Sequence, residues 1–115
     1  MNQTILLVHR DQILFESVKF GLERRGYSVH EASLETCCSM IDQVRPRVAI
    51  LTFYEQSNEF FDVIHLISGK AVVIVSSGYL LEDFGPKSLQ AGASKCVPKS
   101  SGPQGLLDAI EELVG

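Results

Sequence analysis

Three short apolar runs constrain this chain more than any other feature. Ile5-Leu6-Leu7-Val8, Val48-Ala49-Ile50-Leu51 and Ala71-Val72-Val73-Ile74-Val75 contain no polar residue. Each is too short for a helix and none alternates, the pattern of strands buried on both faces. Such a strand needs covering elements above and below it, and the intervening segments supply them. Asp11 is placed to cap a first helix, in which Ile13, Leu14, Val18 and Leu22 recur at helical spacing. Gly26 stands where its C-cap belongs.

The remaining segments repeat this order. Tyr27-Ser28-Val29-His30-Glu31 alternates, as expected of a strand nearer the sheet edge. Ser33 is placed to cap a second helix holding Leu34, Cys37, Cys38, Ile41 and Val44, and Pro46 stops it by disfavouring helical geometry in Arg45. Phe60, Phe61, Ile64 and Ile67 mark a third helix, closed by Gly69; the two adjacent phenylalanines cannot face the core equally. Ser76 to Gly85 reads as loop. Pro86 fits the first position of a short fourth helix ending at Gly92. Cys96-Val97 is a last short strand. Leu106, Leu107, Ile110, Leu113 and Val114 line a final helix entered through Gly102-Pro103. Five strand–helix repeats imply an α/β fold with a parallel sheet covered on both faces. Right-handed crossovers then gather the functional loops at the carboxyl ends of the strands.

A length of 115 residues suits one domain spanning residues 1–115. A formal net charge of −4, with no basic run, argues against nucleic acid as the partner, because phosphate neutralisation needs a basic face. The N-terminus lacks the charged and apolar regions of a secretory signal. No apolar stretch reaches the roughly 20 residues of a membrane span, so a cytoplasmic location is expected. Three cysteines, two of them adjacent, do not form a disulfide framework and have no zinc spacing. Buried thiols are the simplest reading. The first strand–helix turn has no glycine, and no phosphate-binding glycine motif or nucleophile elbow occurs elsewhere, so no enzyme or cofactor is expected.

Several local matches occur in order along the chain. They are Leu6-Leu7-Val8, Gly26-Tyr27-Ser28-Val29, Pro46, Val72-Val73-Ile74-Val75-Ser76-Ser77, Ala91-Gly92-Ala93 and Pro98-Lys99. Together they make the chain resemble the receiver domain of two-component response regulators over nearly its whole length. The resemblance implies a flavodoxin-like (βα)5 fold with strand order 2-1-3-4-5. It also implies phosphoryl transfer onto an aspartate ending the third strand. An acidic pair after the first strand would help hold magnesium, and a Ser or Thr and a Lys would bind the phosphoryl oxygens.

Aligned with that pattern, the sequence keeps Ser76 and Lys99 but departs elsewhere. Thr52 stands at the acceptor position, and His9 and Arg10 stand at the acidic pair. Cys96 replaces the aromatic residue that changes rotamer on activation in the family. A neutral hydroxyl is a poor substitute for a carboxylate nucleophile. Magnesium wants hard anionic oxygens, and Asp11 is the one acid left nearby, one residue late. No metal is therefore expected. His9, Arg10, Asp11, Thr52, Ser76 and Lys99 form a degenerate phosphoacceptor crevice, with three basic groups suited to a small anion or a partner's carboxylate. The competing arrangement sends Arg10 to solvent and pairs Lys99 with Asp11 or Glu55.

Tyr79, Leu80, Leu81 and Phe84 make an apolar segment before the fourth helix. It either covers the sheet or forms a partner surface. The resemblance implies effector or homodimer contacts through the fourth helix, fifth strand and fifth helix. The expected function is a phosphorylation-independent signalling module that binds a protein partner, an effector or a kinase. The alternatives are an atypical phosphoacceptor in a phosphorelay and a sensor of a small anion.

Overall fold

The computed structural model describes residues 3–9, 12–53, 58–77, 81–98 and 102–114; the side chains of 12–15, 53, 58, 77, 81–85, 102, 103 and 114 lie outside the description. Five strands alternate with five helices: β1 (Thr4–Val8), α1 (Gln12–Arg24), β2 (Ser28–Ala32), α2 (Cys37–Val44), β3 (Val48–Phe53), α3 (Asn58–Ser68), β4 (Val72–Ser77), α4 (Leu81–Ala91), β5 (Lys95–Pro98) and α5 (Gly102–Val114). All strand pairs are parallel, in the order β2-β1-β3-β4-β5. The α/β doubly wound, flavodoxin-like sheet expected from the sequence is present, with the expected strand order.

The uninterrupted apolar runs now have a physical cause. Successive side chains of a strand point to opposite faces, and here both faces are covered. Leu6, Val8, Ala49, Leu51, Val73 and Val75 face one side, where Cys37 and Ile41 of α2 and Phe60, Ile64 and Ile67 of α3 pack on them. Ile5, Leu7, Val48, Ile50 and Ile74 face the other side, against Val18 and Leu22 of α1 and Leu106, Leu107 and Ile110 of α5. Each fully buried Leu or Ile contributes about 1.5–3 kcal/mol by leaving water. The edge strand β2 exposes Ser28, His30 and Glu31, in keeping with its mixed sequence.

Two glycines are required by their backbone angles. Gly26 has φ +92°, and its N–H closes α1 on the Glu23 carbonyl while that of Tyr27 reaches Leu22. Gly92 has φ +127°, and a Cβ there would lie 2.5 Å from the Ser68 hydroxyl, so α4 passes close to the end of α3.

Two helices differ from their expected limits. Ser33 does not open α2 directly. Its hydroxyl accepts from the Thr36 N–H at 3.2 Å, while the Thr36 hydroxyl accepts from the Ser33 N–H at 3.0 Å. This reciprocal turn holds Leu34 outside the helix, which starts at Cys37. The fourth helix starts five residues before Pro86, at Leu81. Leu81, Phe84, Ser88 and Ala91 recur at helical spacing straight through the proline. Pro86 lies in the exposed face near the start of the helix, where its missing N–H removes one intrahelical bond. Of the two phenylalanines, Phe60 is buried and Phe61 half-buried, with their rings edge to face at 5.9 Å.

Candidate functional site

The carboxyl ends of β1, β3 and β4 bring together part of the expected crevice. Thr52 and Ser76 are register partners on adjacent strands, 7% and 2% exposed respectively. The Thr52 hydroxyl donates to the Val8 carbonyl at 3.2 Å, tying β3 to β1 where the strands end. That hydroxyl is therefore a buried cross-strand link.

His9 follows β1 directly. Its backbone N–H continues the ladder to Ala32 at 3.1 Å, and its ring Nε2 lies 3.1 Å from a carboxylate oxygen of Glu31 on β2. The His9 side chain is 10% exposed and that of Glu31 56%. His9 thus meets an acid, supplied by an exposed strand residue on the opposite side of β1 from Thr52. The sequence reading did not single out Glu31. Its signal was available only through pairing, since the β1–β2 register sets Leu7 against Glu31 and places His9 just beyond it.

Arg10, Asp11 and Lys99 lie outside the described residues, as do Tyr79 and Leu80. Leu81 and Phe84 fall within the first turns of α4, but their side chains are likewise outside the description. On the same helix, Leu89 is 51% exposed.

Cys96 pairs in register with Val75 and packs, half-buried, against the α2–α3 side of the core. Burial raises its thiol pKa, and the hydroxyl of Ser88, fully buried on α4, acts in the opposite direction. Burial and then the adjacent Cys38 push the Cys37 thiol up to about 12. Its sulfur donates to the Leu34 carbonyl at 3.2 Å. Both groups stay protonated at neutral pH and are poor nucleophiles.

Among the described residues, no group of three or more His, Cys, Asp or Glu side chains could hold a metal ion. The described residues where β1 and β3 end do not by themselves fit magnesium: Thr52 offers a neutral oxygen whose proton is given to Val8, and the His9 ring is engaged with Glu31. No described helix is long and apolar enough to cross a membrane.

Solved structures similar to this chain are response-regulator receivers. A response regulator from Thermotoga maritima superposes with a TM-score of 0.88 at 23% identity, covering 99% of this chain and 98% of that one. A CheY-like receiver domain protein from Methanospirillum hungatei gives 0.83 at 25% identity, over 97% and 93% of the two chains. An orphan response regulator of H. pylori gives 0.83 at 19% identity, over 96% and 94%. No protein-family model matches the chain, and no curated relative does. At these identities the likeness carries the fold; function rests on the site.

Proposed function

We propose that this chain is a receiver-type signalling module of a two-component pathway whose state is not set by phosphorylation at the end of the third strand. The observation that carries the reading is the Thr52 hydroxyl, buried and donating to the Val8 carbonyl. In a working acceptor this position presents a carboxylate to an incoming phosphoryl group beside a divalent cation. Here it holds two strands together. An uncharged, inward-bonded hydroxyl is neither a metal ligand of the hard anionic kind nor an activated nucleophile.

The module acts through protein contacts and has no enzymatic activity of its own. Its docking face lies on α4, β5 and α5, where Lys87, Leu89 and Gln90 of α4 and Asp108 and Glu112 of α5 are exposed. An exposed leucine on the same helix as exposed Lys87 and Gln90 fits the mixed apolar and polar composition of an interface. Glu112 pairs with Lys95, joining α5 to β5. The partner is a signalling protein, an effector or a kinase, or a second copy of this chain.

A magnesium titration followed by amide NMR tests the reading. The amides of Val8, His9, Thr52 and Ser76 are expected to show no saturable shift. Saturable, mutually consistent shifts at these four would mean that the crevice holds a divalent cation after all.

A further inference from the structure

Helix α1 carries a row of three exposed residues four positions apart, Glu16, Phe20 and Arg24. Residues at this spacing lie one above the other on a helix face. Phe20 is the most exposed large apolar side chain among the described residues, at 64%. The core does not use it: Val18 and Leu22 form the buried face of α1, and Gly21 faces Leu107 of α5. The Arg24 guanidinium stands over the Phe20 ring, 5.6 Å from its centroid. This contact holds a cation at the margin of an exposed apolar group.

The two ends of the row carry opposite charges that cannot meet within one chain. Eight residues separate Glu16 from Arg24, about 12 Å along the helix axis. A second copy of the same helix, running antiparallel, brings such charges together. With Phe20 opposite Phe20 on a two-fold axis, position 24 of each helix lies level with position 16 of the other, because both are four residues from the centre. Each Arg24 then faces Glu16 of the second copy, and the pairing occurs twice. A parallel arrangement would set like charges against each other. A crossing angle of about −50°, at which rows of i±4 residues run alongside one another, is the commonest in helix packing. The adjoining row is low at Ser17 and Gly21, which leaves a groove for the second ring, and Arg25 in that row is already paired with Glu111 of α5.

We propose that α1 is a self-association surface on which a second copy of this chain docks antiparallel, with the two Phe20 rings at the centre and a Glu16–Arg24 pair on either side. The rings supply most of the buried apolar area. The exposed ion pairs fix register and choice of partner more than they add affinity. A single helix pair falls short of the roughly 1,200–2,000 Å² of a stable interface, so the dimer is weak and reversible. Helix α4 packs beside α3 on the other side of the sheet, so pairing through α1 leaves Lys87, Leu89 and Gln90 open to a different partner.

Sedimentation equilibrium of the intact chain over a concentration series up to about 1 mM tests the surface. A reversible monomer–dimer equilibrium is expected. Phe20→Ser removes no core contact and should weaken the dimer about tenfold or more. Glu16→Arg and Arg24→Glu each set like charges against each other and should weaken it to a similar extent. An equimolar mixture of these two variants should associate again, because every facing pair is then of opposite sign. Leu89→Ser on α4 should leave the equilibrium unchanged. A chain that stays monomeric throughout, or a dimer unaffected by Phe20→Ser, overturns the surface. Failure of the mixed variants to associate overturns the antiparallel register. Disruption by Leu89→Ser would move self-association to α4 and overturn its assignment to α1.

Discussion

The hydroxyl of Thr52 and the carbonyl of Val8 are joined by a 3.2 Å hydrogen bond at the buried ends of β3 and β1. The bond makes the Thr52 side chain a strap between the two strands. Removing it with Thr52→Val is expected to cost about 1 kcal/mol, the net worth of one such bond. Thr52→Asp should cost more, about 2–3 kcal/mol at neutral pH, because an ionised carboxylate cannot donate to Val8 and is poorly solvated there. Urea unfolding of the two variants beside the parent chain measures both values. A neutral or stabilising Thr52→Asp would mean that the site is still adapted to an acid.

Gly92 should not tolerate a side chain. Its φ of +127° is strained for any L-residue, and an added Cβ would come within 2.5 Å of the Ser68 hydroxyl. Gly92→Ala is expected to destabilise by about 2 kcal/mol or more. Adding Ser68→Ala should recover little of it, because the Cβ at position 68 would still lie 2.7 Å from the added Cβ and the backbone strain remains, which thermal denaturation of the single and double variants measures.

Stability should fall at alkaline pH through Cys37. Its thiol rises from 9.0 to about 12 in the folded chain, so between those values the folded state holds a proton that the unfolded state has lost. By linkage the contribution is fully present below pH 9 and is lost as pH rises toward about 12. Cys37→Ala should flatten this part of the profile while lowering stability overall through the lost packing. An unchanged alkaline slope in that variant would remove Cys37 as its cause.

Arg45→Gly should hold or raise stability, by about 0.5–1 kcal/mol, since the left-handed C-terminus of α2 is retained without a Cβ. Chemical denaturation measures this directly. A marked loss would mean that the arginine side chain supports the fold itself.

Most of the scaffold was legible because of burial on two faces. The runs at Ile5, Val48 and Val72 could satisfy their pattern only as central strands, and the helical spacing of Val18 and Leu22, or of Leu106 and Ile110, left one arrangement for the covering layers. The start of α4 was hidden because Pro86 is a stronger local signal than the spacing of Leu81 and Phe84, although one missing bond in an exposed turn is affordable. The start of α2 was hidden because Ser33 and Thr36 can both open a helix, and their mutual hydrogen bonds decide which does.

At the site, Thr52 at the position where the receiver resemblance expects an aspartate was visible in the sequence, but the partner of its hydroxyl was not. Whether the Thr52 hydroxyl turns into the crevice or back to Val8 depends on where β1 ends relative to β3. The Glu31 partner of His9 likewise follows from sheet register.

Intact-mass spectrometry after incubation with acetyl phosphate and Mg²⁺ tests phosphorylation independence most directly. The expected result is an unmodified chain at every time point. A hydroxylamine-labile adduct of one phosphoryl group would contradict it, because that lability marks an acyl phosphate and hence a carboxylate that still accepts phosphate.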